Sequence, residues 1–456
     1  MGERKEIGLI LDELWGKLWS AGVTEPLISI EQIAFFMLLK RLDLAEKAEG
    51  NAQLLESHER LRWDSLRKVE GGELITILKQ ELEPLLERVG GSAFVGAQLA
   101  ISDPDVVRSC LGDVDRLGFE HEPAAHQGEV FSQLLARLKT SGQGGELQTP
   151  KPVARLMAEL ADPRPGESVG DPAVGAGGLL VEAARHAGGG EAAPTANLHG
   201  YDVNPGMVRL AAYNLLFHGI EDLAVRQVNV LSPTFRPSRY DVILTAPPFG
   251  AVLPPNEVNP KLGNARGRQE LLFLELCREM QLSTVAVLVP ESVLFGKSGE
   301  FTSVRRKWLE ELCVNAIVLL PPDALLPYTS VRTAIVLASR GPTDTVWFCP
   351  LESSRRKESA DQGDLFAAAA EAVKAKLGDR EPQGEEAKAL ARTMFQTDYD
   401  VIRTRNWSLS PALYRPAPEF EREGERPLDV MNELVAGEDE IARQLDEARS
   451  LLEQIE

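Results

Sequence analysis

Apolar positions along the chain follow two rhythms. Through roughly the first 125 residues they recur every three or four positions, the spacing of a helix with one buried face. In EIGLILDELWGKLWSAG, Ile7, Leu11, Leu14 and Leu18 share such a face. SIEQIAFFMLLKRLDLAEKAE follows, with Ser29 and Gln32 spaced as a capping box, and GELITILKQELEPLLERVG is a third amphipathic helix. From about residue 126, helices alternate with short runs of Val, Ile and Leu. DVILT, TVAVLVP, VNAIVLLP and TAIVLAS are too uniformly apolar to have a wet face, which predicts a parallel sheet covered by helices on both sides. PAPEFEREGERP (416–427) reads as a linker. The final stretch carries Ile441, Leu445, Ala448, Leu452 and Ile455 at alternating four–three spacing, either a partner-binding coiled-coil seam or a helix docked on its own domain. The predicted organisation is a helical segment over 1–125, an α/β domain over 126–415, and a linker with a C-terminal helix for partner contact over 416–456.

Composition narrows this picture. The 456 residues exceed one ordinary core. The strongest apolar run, IAFFMLLK at 33–40, is far short of the roughly 18 residues a bilayer span needs, and the N-terminus lacks a signal-peptide core, so no membrane role is expected. Cys110, Cys277, Cys313 and Cys349 lie far apart, which argues against a metal site or a disulfide framework and fits a reducing cytoplasm. The formal net charge of −20 makes a solitary nucleic-acid binder a poor expectation. Work on DNA would require a basic partner or a local patch. NARGRQ (264–269) and SVRRKW (303–308) are the local basic features, with solvated surface the favoured reading of both.

Candidate chemistry begins at VGDPAVGAGG (169–178), where a strand ends in a glycine loop before a helix. Gly175, Gly177 and Gly178 remove β-carbons, so a ligand can lie against backbone and helix start. The pattern is G-x-G-G after Asp-Pro, not the dinucleotide G-x-G-x-x-G. Asp171, just before the loop, suits a ligand's ammonium better than a phosphate. The next strand ends in GYDVN, which puts Asp202 where an acid meets ribose hydroxyls. Together these favour S-adenosylmethionine over a dinucleotide. Asn229, at the third strand end, reads either as an adenine contact or as a plain turn residue. Finally, DVILTAPPFG (241–250) runs a buried strand into a rigid Pro-Pro-aromatic corner.

With that corner the chain resembles the N6-adenine DNA methyltransferases, most closely the modification subunit of type I restriction–modification systems. The resemblance rests on GGELQTPKPVARLM, DPAVGAGGLL, GYDVNPGMVRLAAYNLLFHGI, DVILTAPPFG, VAVLVPESVLF, LPYTSVRTAIVL and WSLSPALY, and on LWSAGVTEPLISIEQIAFFMLLKRLD in the helical segment. It implies a helical N-terminal domain, then a Rossmann-like S-adenosylmethionine-dependent methyltransferase domain, then C-terminal helices. It implies an adenine flipped out of the duplex beside the corner, with the Pro247 carbonyl accepting from the adenine amine and Phe249 stacking on the base across Pro248. Thr149 and Pro150 would line the methionine end. Asp171, Ala173, Gly175 and Gly177 would cradle the cofactor, and Asp202 would bind its ribose. The implied partners are DNA, a specificity subunit, a second copy of this chain and a restriction subunit.

The chain departs from the family pattern twice. Leu147 and Gln148 stand where aromatic residues normally precede Thr-Pro, and Ala246 stands where the family has the corner asparagine. Alanine offers no acceptor for the adenine amine, so impaired turnover is expected. Three readings are compatible with Ala246: an inactivating substitution, which is favoured, a natural binding module, and an active enzyme with a shifted mechanism. The main alternative function is a non-catalytic S-adenosylmethionine-binding scaffold. A weaker one is a single-chain methyltransferase acting on RNA or protein.

Overall fold

The computed structural model describes residues 2–49, 56–119, 124–139, 149–189, 197–263, 267–351 and 360–416. Six helices come first: α1 (Gly2–Ser20), α2 (Pro26–Glu49), α3 (Trp63–Leu66), α4 (Gly72–Gly90), α5 (Pro104–Arg116) and α6 (Ala124–Leu135). The alternating part follows as α7 (Lys151–Ala161), β1 (Ser168–Asp171), α8 (Gly178–Ala187), β2 (Asn197–Asp202), α9 (Pro205–Phe217), β3 (Ala224–Gln227) and β4 (Tyr240–Thr245). It continues through α10 (Gln269–Met280), β5 (Gln281–Pro290), α11 (Ser292–Phe295), α12 (Gly299–Glu311), β6 (Leu312–Leu319), β7 (Thr333–Arg340) and β8 (Thr345–Pro350), and ends with α13 (Ala360–Leu377), α14 (Glu385–Thr393), β9 (Phe395–Asp398) and α15 (Tyr399–Thr404).

The expected capping box is absent. Pro26, whose fixed φ suits a first helical residue, starts α2 four residues earlier, and the Ser29 amide already donates to the Glu25 carbonyl within the helix. The Ser29 hydroxyl instead donates to the Val23 carbonyl at 3.0 Å. The Gln32 amide bridges to the backbone at Gln98 (3.0 Å) and Ala100 (2.9 Å).

Nine strands form one sheet in the order β3-β2-β1-β4-β5-β7-β6-β8-β9. The first five are parallel, as expected, but β7 runs antiparallel to both β5 and β6, and β9 antiparallel to β8. The sheet is therefore mixed rather than parallel. A parallel return needs a crossover of about a dozen residues, usually a helix. Residues 320–332 between β6 and β7 are taken up by turns instead. Strand direction leaves no mark on a uniformly apolar run, so the sequence pattern missed it.

Side-chain alternation along the strands divides the interior. Val242, Leu244, Ala286 and Leu288 join a core shared with α7, α8, α9 and the N-terminal helices. Ile243, Val285 and Val287 join a second core under α10 and α12. The N-terminal helices meet α9 through a two-point ion pair between Glu31 and Arg209, both contacts at 2.9 Å. Ring contacts of Phe94 with Tyr213 (4.8 Å) and Phe131 with Phe217 (5.0 Å) flank it.

The described residues up to Tyr414 form one compact unit. The expected C-terminal seam lies outside the described residues, as do Leu147 and Gln148. Among the described residues, no helix is long and apolar enough to cross a membrane. The SVRRKW stretch is structural: Arg305 is buried and donates to the carbonyls of Trp407, Val293 and Gly296, while Arg306 pairs with Glu310 and Lys307 with Glu275.

Candidate active site

The parallel strands β1, β2 and β4 bring their C-terminal ends together, and the loops leaving them wall a cavity of about 560 Å³. Leaving β1, the chain passes through Gly175 (φ +50°) and Gly177 (φ +80°) before α8. At Gly177 glycine is required twice: its φ is left-handed, and a β-carbon there would sit 3.2 Å from the Ala211 Cα on α9. Two acids tie the loop down. Asp171 Oδ1 accepts the Ala173 amide at 3.0 Å. Asp202, at the end of β2, accepts the Gly175 amide at 3.1 Å and the Asn204 amide at 2.8 Å. Asn204 in turn caps α9, accepting from the Gly206 amide at 2.9 Å.

These acids differ in exposure. Asp171 is fully buried and lies outside the cavity lining. Its Oδ2 has no hydrogen-bond partner among the described residues, and burial lifts its pKa to about 7, with Asp202 pushing the same way and the Ala173 amide and Thr245 hydroxyl opposing. Asp202 lines the cavity. Burial raises its pKa too, against the backbone amides that favour its charge.

Leaving β4, Ala246, Pro247, Pro248 and Phe249 line the same cavity. Ala246 and Phe249 pack on the larger core from its edge. The corner ends at Gly250 (φ +84°), whose amide donates to the buried Glu270 carboxylate of α10 at 3.3 Å. The β6–β7 connection contributes Leu325, Tyr328, Thr329 and Val331 to the lining. So the antiparallel return that the sequence did not reveal supplies one lip of the site.

Of the other sequence candidates, Thr149, Ala173 and Gly175 line the cavity. Pro150 caps the start of α7, and Gly177 packs against α9; neither is part of the lining. Asn229 is exposed and outside it, its Oδ1 accepting the Leu231 amide of its own turn at 3.1 Å.

The cavity also has polar lining that sequence reasoning passed over: Lys151, Glu182, Asn214 and His218. Asn214 lies in α9 and His218 caps its C-terminal end four residues later, in an otherwise apolar helix. That polar pair in an apolar run was the available signal. Residues for the expected cofactor fit the site in one respect visible here. Asn214 donates to the Ala176 carbonyl of the loop at 2.8 Å, while its buried Oδ1 has no partner among the described residues.

The profile of the N-6 DNA methylase family matches residues 125–423. The chain is 28% identical over 362 residues to the type I restriction enzyme EcoEI methylase subunit of Escherichia coli, covering 72% of this chain and 74% of that protein. It is 25% identical over 368 residues to the EcoKI methylase subunit of E. coli K12, covering 71% and 67%. Among solved structures, a chain from a type I restriction–modification assembly superposes with a TM-score of 0.69 at 25% identity, covering 97% of this chain and 99% of that one. The type I methyltransferase subunit from Streptococcus thermophilus superposes with a TM-score of 0.71 at 18% identity, covering 90% and 99%, and so shares the fold. With the family profile spanning well over half its length, the chain belongs to the N-6 DNA methylase family, alongside the methylase subunits of type I restriction enzymes.

Proposed function

We propose that this chain is built to transfer a methyl group from S-adenosylmethionine to the N6 of an adenine flipped out of DNA, as the modification subunit of a type I restriction–modification complex, and that Ala246 impairs the transfer. The observation carrying this reading is that the glycine loop with Asp202 and the Ala246–Phe249 corner wall one cavity. When bound, the cofactor supplies an electrophilic methyl group. The chain's part is positional: Asp202 is placed for ribose hydroxyls, and the loop leaves room for a ligand against its backbone. The Pro247 carbonyl accepts from the adenine amine, and Phe249 and Tyr328 offer aromatic faces to the base. Held in this way, the adenine N6 would face the methyl group that the bound cofactor would supply, and the proton given up by N6 would pass to solvent. No nucleophile from the protein is needed, since orientation supplies much of the rate.

Ala246 removes one of the two acceptors for the adenine amine. By comparison with deletion of a single transition-state hydrogen bond, this costs roughly 10²–10³ in rate. Ala246→Asn, assembled with a specificity subunit and a second copy of the chain, should therefore raise methylation of a bipartite DNA site by about that factor. The measurement is tritium transfer to DNA at saturating cofactor. A restored complex that binds cofactor yet methylates no DNA would count against an enzyme, and would favour the second reading that Ala246 itself supports, a cofactor-binding scaffold without turnover. The acidic surface fits either reading, because in both a partner brings the DNA. A restriction subunit completes the proposed assembly.

Calorimetry tests the cofactor site by itself. We expect one S-adenosylmethionine per chain, with binding lost in Asp202→Ala. Unchanged affinity in that variant would remove Asp202 from the site.

A further inference from the structure

The Ala246–Phe249 corner has little with which to hold itself still. None of Ala246, Pro247, Pro248 and Phe249 carries a polar side-chain group, and the two prolines have no amide hydrogen to donate. Yet the use proposed for the corner needs the Pro247 carbonyl and the Phe249 ring closely fixed, since a misplacement of about 1 Å can cost roughly 10²-fold in rate. The fixing has to come from neighbours. Upstream, Thr245 is the last residue of β4 and is fully buried. Downstream, the Gly250 amide is turned by a φ of +84° and donates to the Glu270 carboxylate at 3.3 Å.

Glu270 is suited to that task. It stands in the first turn of α10, where a helix start favours a carboxylate, and it is only 5% exposed. A carboxylate so enclosed is costly unless donors meet it. The helix that carries it is a firm reference: Leu271, Leu272, Leu274 and Leu276 are buried in the second core, and the Trp308 indole of α12 donates to the Leu274 carbonyl at 3.2 Å. Between corner and helix the backbone forms a short antiparallel ribbon. The Leu253 amide donates to the Gly267 carbonyl at 2.7 Å, the Gln269 amide to the Ala251 carbonyl at 3.0 Å, and Val252 pairs with Arg268. Gly267 admits no side chain, since a β-carbon there would lie 2.1 Å from the Leu253 carbonyl oxygen. Arg268 lies over the Phe301 ring of α12 at 5.3 Å. The ribbon fixes the chain beyond the corner, and Glu270 reaches the residue that closes it.

Resting on the methyl-transfer reading above, we propose that Glu270 is a positioning residue: by holding the Gly250 amide against α10, it sets where the Pro247 carbonyl and the Phe249 ring meet the adenine. Glu270 has no share in the cavity lining, so it acts through the corner and not on cofactor or base.

Three variants and two measurements test this. Glu270→Met removes the acceptor at similar length, Glu270→Asp draws it back by one methylene, and Glu270→Gln keeps it. In the full chain, hydrogen–deuterium exchange resolved to the Gly250 amide should quicken about 10-fold or more in Glu270→Met, the range of a hydrogen bond to a charged group. The rise should be smaller in Glu270→Asp and absent in Glu270→Gln, while the Leu253 amide of the ribbon keeps the parent's rate. In the Ala246→Asn complex, Glu270→Met should lower kcat for tritium transfer roughly 10- to 100-fold and leave S-adenosylmethionine affinity unchanged. Glu270→Gln should restore the turnover of the Ala246→Asn complex. An unchanged Gly250 rate in both Glu270→Met and Glu270→Asp overturns the clamp. Faster exchange with kcat unchanged, or kcat and cofactor affinity falling together, overturns the positioning role. An Ala246→Asn complex that methylates no DNA with Glu270 in place overturns the methyl-transfer reading, and the positioning role with it. That result is distinct, because the exchange rates report the clamp without turnover.

Discussion

At the scale of single residues, the two acids beneath the glycine loop carry opposite burdens. Asp202 keeps contact with the cavity, whereas Asp171 is enclosed and holds its proton up to about pH 7. A carboxyl whose folded pKa exceeds its unfolded value of 3.8 leaves stability untouched at low pH. It costs stability as pH rises from about 4 to about 7, because the folded chain must then keep a proton the unfolded chain has released. Asp171→Asn keeps an acceptor for the Ala173 amide and removes the ionisable group. The variant should melt a few degrees above the parent at pH 8. Its advantage should fall by roughly half at pH 5.5. Thermal melts at the two pH values check this, and an advantage that is flat or grows toward acid would contradict the buried-acid account.

At the scale of elements, the loop between β1 and α8 depends on close packing against α9. Gly177→Ala places a β-carbon 3.2 Å from the Ala211 backbone at a left-handed φ. A cost of roughly 1–3 kcal/mol in unfolding free energy follows. Gly178→Ala is the control, since a β-carbon at that position meets nothing within 4 Å, and urea melts of both variants should separate them clearly. The elements also show which parts of the site a sequence can reveal. The glycine loop, Asp202 and the Pro-Pro-Phe corner announce themselves because each is a local exception: glycines at a strand end, an acid after a strand, prolines against an apolar run. Glu182, Asn214 and His218 do not, because their helices are apolar enough to pass for core, and their meeting place exists only once α7, α8 and α9 pack together. The mixed sheet was hidden for a related reason, since β6 and β7 read alike in either direction. The early start of α2 was visible in Pro26 but outweighed by the spacing of Ser29 and Gln32.

At the scale of the whole molecule, the described fold closes on itself within Met1–Tyr414. Arg305, held against the carbonyls of Val293, Gly296 and Trp407, fastens the tail before that boundary, and Tyr414 stacks on Phe348 at 5.7 Å. Removing 415–456 should therefore leave melting and S-adenosylmethionine affinity near those of the full chain, while co-purification with a specificity subunit is lost. Pull-down with a tagged specificity subunit measures the second outcome. Retained co-purification would assign the partner contact to the helical segment instead.

One contact joins the far end of the chain to the cavity. Arg137 follows directly on Ala136, a cavity-wall residue, and reaches back to α1, donating to the Gly8 carbonyl at 2.8 Å and to the Asp12 carboxylate at 2.7 Å. The first described helix is in this way tethered to the wall of the cavity. Because binding linkage is reciprocal, a protein docked on α1 that altered the cavity's affinity for its occupant through this tether would have its own affinity altered by the occupant by the same factor.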